Sequence, residues 1–293
     1  MRYEANNSWL NVLEQGSGSL TLVFLHYFGG SAQEWQAVMN QLSDEYRCIA
    51  IDLRGHGDSD GFPVAYAVDD MADDVANLLT ILKVGNFVLV CHSMSGKVAL
   101  ALASRQPTGL QSLLLVSPSP PVPEPIPDDE RQKLLAGYGQ RSAAETMVKN
   151  TTAVLVSEAI RQQIIADNLR TAKPAWDAWL LQGSNEDISS RMTTINVPVR
   201  IIVGSEDRAL PSDVQTKMTL PYLKDVTLEI INGAGHLLPW EVPDTLARFI
   251  QKNLPVNALD KKQTIYLCAS IQTVAQLGGV LRSERRYRGR QTL

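Results

Sequence analysis

Three residues far apart in the 293-residue chain are of the types that can break an acyl bond together: Ser93, Asp207 and His236. Ser93 stands in Cys91-His92-Ser93-Met94-Ser95-Gly96, between an apolar run and a helical pattern that begins at once. A serine on so sharp a strand-to-helix turn is held in a strained backbone conformation, and only small residues fit two positions to either side. Cys91 and Ser95 are small, so the pattern is small-x-Ser-x-small where Gly-x-Ser-x-Gly is usual. A helix N-cap is the plainer use of a serine at this place.

A serine hydroxyl is a poor nucleophile near neutral pH unless an imidazole takes its proton, and that imidazole must be held in one tautomer by a carboxylate. Gly204-Ser205-Glu206-Asp207 closes one apolar run and Gly233-Ala234-Gly235-His236 follows the next. Both therefore fall at the C-terminal ends of expected strands, where doubly wound sheets build their sites. Asp207 is preferred to its neighbour Glu206 as the orienting acid; a turn or cap acid is the alternative. An oxyanion formed at the attacked carbonyl needs preorganised N–H donors. The amide following the nucleophile, Met94, is one, and Phe28 in His26-Tyr27-Phe28-Gly29-Gly30 is the second, its paired glycines letting backbone approach a substrate.

These parts require a frame. Residues 20–26, 46–52, 86–91 and 112–117 are continuous apolar runs, as expected of parallel strands buried on both faces, with helices expected over 66–83 and after residue 93. From Pro118 to about Met192 the rhythm changes to helices alone, expected over 130–138, 143–149, 157–169 and 174–181. Strands resume at 199–204 and 226–231, and a helix over 243–253 closes the pattern. The expectation is an α/β fold with a doubly wound, mostly parallel sheet: core 1–120 and 191–254, helical insertion 121–190, and a tail 255–293.

Composition narrows the choices. The chain is 44% apolar and 20% charged, with four His, three Cys and net charge −4. Residues 251–293 carry eight Lys or Arg against two acids, which leaves −10 for residues 1–250. An acidic body argues against a nucleic-acid groove. Cys48, Cys91 and Cys268 lack the spacing of a metal or redox motif and read as free thiols. No metal ligand set and no cofactor motif emerges: Gly55-His56-Gly57-Asp58-Ser59-Asp60 only partly matches a phosphate cradle, because an acid ends it. No secretory signal is visible at the N-terminus, and residues 263–281 are too polar for a membrane span, so a cytoplasmic location is expected. The basic tail reads as poorly ordered. Oligomeric state is not legible.

Taken together the motifs resemble the alpha/beta-hydrolase superfamily, specifically its capped carboxylesterase and cofactor-free haloperoxidase-like branch. LHYFGG at 25–30 resembles that family's oxyanion loop, IDLRGHGDSD at 51–60 its strand-to-loop signature, CHSMSGK at 91–97 its nucleophile turn and GAGHLLPWEVP at 233–243 its histidine loop. The resemblance covers residues 20–250, puts a helical cap at 120–190, and implies a Ser-Asp-His hydrolase working through an acyl-enzyme. It also implies structural roles for His26 and His56. Tyr27, Cys91 and Ser95 depart from the glycines common in relatives. The expected activity is cleavage of small apolar carboxylic esters. Perhydrolysis, or lactone, thioester or carbon–carbon bond hydrolysis on the same residues, is the alternative, and a slow-turnover ligand sensor is the alternative of another class. Substrate contacts are expected from Tyr27, Phe28, Trp35, Leu237 and Trp240, with Trp176 and Trp179 from the cap.

Overall fold

Runs such as Leu20-Thr-Leu-Val-Phe-Leu25 have no polar face to turn toward water, so they form strands only where helices cover both sides of a sheet. The computed structural model describes residues 1–60 and 65–255 and shows this arrangement. Its elements are β1 (Arg2–Ala5), β2 (Ser8–Gln15), β3 (Leu20–Leu25), α1 (Gln36–Leu42), β4 (Arg47–Ile51), α2 (Val68–Ile81), β5 (Asn86–His92), α3 (Met94–Ser104) and β6 (Leu110–Val116). Then come α4 (Asp128–Ala136), α5 (Arg141–Thr151), α6 (Glu158–Arg170), α7 (Lys173–Leu181), β7 (Val199–Gly204), α8 (Ser212–Met218), β8 (Val226–Ile231), α9 (Leu238–Glu241) and α10 (Pro243–Asn253). The eight strands lie in the order β1-β2-β4-β3-β5-β6-β7-β8. From β4 to β8 every pairing is parallel, whereas β1–β2 and β2–β4 are antiparallel.

The six expected strands all form. The β1–β2 hairpin lies outside the expectation for a physical reason: Ser8, Leu10 and Val12 point inward while Trp9 is exposed, so β2 alternates as an antiparallel strand does and never shows a continuous apolar run. The short helices α1 and α8 were likewise not expected.

Residues Met1–Asn253 make one compact unit. The tail beyond residue 255, with Cys268 and the basic cluster, lies outside the described residues. Cys48 and Cys91 are free and buried. Among the described residues, no helix is long and apolar enough to cross a membrane.

Two buried cations tie loops to this frame. Arg54, just after β4, makes a bidentate pair with Asp74 of α2 at 2.6 Å on each arm. Lys97 of α3 is fully buried, and its ammonium donates to the carbonyls of Val122 (3.1 Å), Gly183 (3.4 Å), Ser184 (3.2 Å) and Glu186 (2.9 Å). Those four carbonyls belong to the entry and exit of the helical insertion, so one side chain fastens both ends to α3. Burial pulls the Lys97 amine down to about 8, even with Glu124, Glu186 and Asp187 nearby to favour its charge.

Candidate active site

The parallel strands end at a common edge, and the turn after β5 carries Ser93 there. Ser93 has φ 54° and ψ −118°, a conformation that costs a non-glycine residue about 1–3 kcal/mol and persists only when its surroundings enforce it. The enforcement is visible. Ser93 N–H donates to Val116 O at 2.9 Å, and Ser119 N–H donates back to Ser93 O at 2.9 Å. Ser95 is completely buried; its hydroxyl accepts from His92 N–H at 2.9 Å and lies 2.9 Å from the carbonyl of Leu25. Gly96 permits the tight seat of α3, since a Cβ there would fall 2.4 Å from Pro118 Cβ. Cys91 fills the core below the turn.

His236 and Asp207 come to the same edge from the loops after β8 and β7. His236 Nε2 lies 2.9 Å from Ser93 Oγ, and His236 Nδ1 lies 2.8 Å from Asp207 Oδ2. Asp207 Oδ1 accepts the N–H groups of Ala209 and Leu210, both at 2.9 Å, which fixes the carboxylate plane. Burial would raise the Asp207 carboxyl, but the facing imidazole and the Leu210 amide bring it down to about 2. Burial likewise opposes charge on His236, yet the Asp207 carboxylate outweighs it and holds the imidazole above its ordinary value. Glu206, the rival acid, is exposed, and its carboxylate accepts from the neighbouring Ser205 hydroxyl at 3.1 Å.

The loop of His236 is fastened by residues with no part in the expected set. The buried carboxylate of Glu241 accepts four main-chain N–H groups: Gly235 and Leu237, which flank His236, at 3.0 Å each, and Ala153 and Val154 of the insertion at 2.8 Å each. His236 N–H donates to Thr151 O at 2.8 Å. Glu241 is legible in hindsight as an acid within Leu237-Leu-Pro-Trp-Glu241, where an apolar stretch leaves it no water.

The other three histidines are locked elsewhere. His26 Nδ1 meets Tyr27 O at 2.7 Å and its Nε2 accepts from Leu53 N–H at 3.0 Å, with burial lowering the ring to about 4. His56 Nδ1 meets Arg54 O at 3.0 Å, and burial lowers it to about 3. His92 turns into the fold toward Glu34 and the carbonyl of His236.

Of the two expected oxyanion donors, neither the Phe28 nor the Met94 amide has a hydrogen-bond acceptor among the described residues. The expected pocket residues divide. Phe28 and Trp240 keep partial exposure. Trp176 and Trp179 are 4% exposed and stack over Phe28 with centroids at 4.4 and 6.5 Å, so they join insertion to core. Trp35 and Leu237 are completely buried, which corrects their expected place on a pocket wall: Trp35 lies between Phe24 (5.1 Å) and His92 (6.4 Å), behind the site. Tyr27 packs with Val148, Ile164 and Leu237, and its ring occupies the space a Cβ on Gly30 would need.

Comparison with known proteins agrees with this frame. Residues 22–249 match the model of the alpha/beta hydrolase family. The chain is 27% identical over 259 residues to 2-(acetamidomethylene)succinate hydrolase of Mesorhizobium japonicum, covering 85% of this chain and 92% of that protein. It is 26% identical over 235 residues to the non-heme chloroperoxidase CPO-A1 of Kitasatospora aureofaciens, covering 73% and 84%. The structure superposes on an esterase from Exiguobacterium antarcticum with TM-score 0.80 at 22% identity, covering 86% of this chain and 97% of that one. With strand order, insertion and matched span in accord, the chain belongs to the alpha/beta hydrolase family.

Proposed function

We propose that this protein is a serine hydrolase that cleaves carboxylic esters through an acyl-enzyme on Ser93. The observation that carries the reading is the unbroken relay from Ser93 Oγ to His236 Nε2 (2.9 Å) and from His236 Nδ1 to Asp207 (2.8 Å). Asp207 accepts from Nδ1–H, so Nε2 is left bare to take the serine proton. The Ser93 oxygen then bonds to the ester carbonyl carbon, and the carbonyl oxygen becomes an oxyanion facing the amides of Phe28 and Met94. Imidazolium His236 returns the proton to the departing alcohol as the tetrahedral species collapses. Water, deprotonated by His236 in turn, releases the acid and restores Ser93. Helices α4–α7 act as the cap, and Phe28 and Trp240 line the apolar approach, with Trp176 and Trp179 behind Phe28.

Asp207, ionised throughout the working range, keeps His236 charged at higher pH than a free imidazole. Turnover therefore falls as pH drops through that raised value. A fluorophosphonate probe should label Ser93, read by peptide mass spectrometry, and Ser93→Ala should lose both the label and hydrolysis of nitrophenyl acyl esters. An unlabelled wild type, or an active Ser93→Ala, refutes the reading. Peroxide as the acyl acceptor is the second reading, favoured by the similarity to a chloroperoxidase. A panel of esters, lactones, thioesters and peroxide separates the two.

A further inference from the structure

We propose that Glu34 and His92 form a buried, electrically neutral pair in which Glu34 is the protonated partner, and that the pair positions the main chain of His236. Its catalytic consequence rests on the function proposed above; the proton arrangement does not.

Both side chains are completely shut off from solvent. His92 Nε2 lies 2.9 Å from the main-chain oxygen of His236, which can only accept, so Nε2 must carry a hydrogen. His92 Nδ1 lies 3.1 and 3.2 Å from the two Glu34 oxygens. One proton serves that contact, either on nitrogen, making an ion pair, or on oxygen, making a neutral one. The surroundings choose. Among the described residues Glu34 has no Lys or Arg partner in ion-pair range. The charged group facing it is Asp167, so a carboxylate here would meet like charge, and burial together with Asp167 outweighs the Tyr27 main chain, which favours the ionised form. The groups facing His92 are His26, His236 and Asp207. The His92 and His236 rings are 5.1 Å apart, so an imidazolium at 92 would oppose the charge that His236 must acquire from Ser93. Burial pushes Glu34 up and His92 down, in the same sense.

The neutral arrangement leaves no polar atom stranded: Glu34 O–H donates to Nδ1, and Nε2–H donates to the His236 carbonyl. With Thr151 O holding the His236 N–H, the general base is gripped on both sides of its main chain. Glu34 and His92 are thus positioning residues that act through His236.

The pair can be tested on the wild-type protein by nitrogen NMR of its ring nitrogens, which four histidines keep tractable, with His92→Gln identifying the resonances. Between about pH 6 and 9 the expected result is His92 protonated at Nε2 and bare at Nδ1. Both nitrogens protonated, or a proton on Nδ1 alone, overturns the proposal. This readout survives even if no ester is turned over, so its failure is separable from that of the functional reading. For the positioning role, Glu34→Ala should lower kcat about tenfold at nearly constant KM. Glu34→Gln, whose amide donates to Nδ1 as the protonated acid does, should recover most of that loss. A Gln variant that folds and is no better than Ala overturns the role of the acid. His92→Phe should likewise lower kcat with KM held, and a folded His92→Phe with wild-type kcat overturns the positioning role.

Discussion

The loops that carry Ser93 and His236 reach the same edge of the sheet but are secured by different means. Ser93 is fixed by its own strand and helix: the turn joins β5 to α3 directly, its main-chain bonds go to Val116 and Ser119, and its strain is imposed by neighbours in the core. His236 follows a loop after β8 and is held by Glu241 of its own loop, by Thr151 of the insertion, and by the side chains of Asp207 and His92 from the ends of other strands. The Ser93 turn is therefore a property of the sheet, while the placement of His236 is a property of the contact between core and insertion. Damage to the insertion should reach His236 first and leave the shape of the Ser93 turn intact.

The largest expected effect tests His236. Asp207→Asn keeps the contact but offers the wrong tautomer, and kcat should fall about 10⁴-fold, as in other serine triads. The same change should move the acidic limb of kcat/KM to lower pH, because the carboxylate that raises His236 is gone. The sign for stability also follows. The His236 contribution is complete below an imidazole's ordinary value and fades as pH rises through the raised one. The Asp207 contribution is present above a carboxylate's ordinary value and is lost as pH falls toward about 2. Unfolding followed against pH, with and without Asp207→Asn, reads both.

Next in size, Glu241→Ala strands N–H groups on both sides of the core–insertion contact. Unfolding free energy should drop by about 3 kcal/mol, and kcat should fall while the folded fraction still accepts the fluorophosphonate at Ser93. Equal loss of labelling and turnover would erase the distinction between the two loops. Gly96→Ala attacks the other loop: its Cβ must displace Pro118, so a loss of about 2 kcal/mol in urea unfolding is expected. The smallest effect, about 1 kcal/mol, is expected for Lys97→Met, which keeps the apolar stem and leaves the Gly183 and Ser184 carbonyls their main-chain N–H partners, Glu186 and Glu124.

The same contrast explains what could be read from the sequence. The sheet and the Ser93 turn are local: runs such as Leu20–Leu25 and the small residues around Ser93 announce themselves within ten positions. Asp207 and His236 were also legible, because each ends an apolar run. Glu241 shows only in hindsight, and Glu34 and Lys97 do not show, since each is an ordinary polar residue until the fold brings distant partners around it: the His92 ring for Glu34, and the carbonyls of Gly183, Ser184 and Glu186 for Lys97. Trp35 was misplaced for a related reason: an aromatic next to an oxyanion loop has the same appearance in sequence whether it faces the site or backs it. Only its packing against Phe24 and His92 decides.

Lys97 gives the molecule a modular joint. Because one ammonium gathers the carbonyls of both the incoming and outgoing segments of the insertion, those segments leave and rejoin the sheet at a single anchored point. What lies between Val122 and Gly183 can be exchanged as a cassette, provided the new piece presents its ends to that anchor and replaces the main-chain contacts that Thr151, Ala153 and Val154 make with His236 and Glu241. A recombinant series with the same body and grafted helices of other lengths would diversify the insertion while the sheet and the Ser93 turn stay untouched.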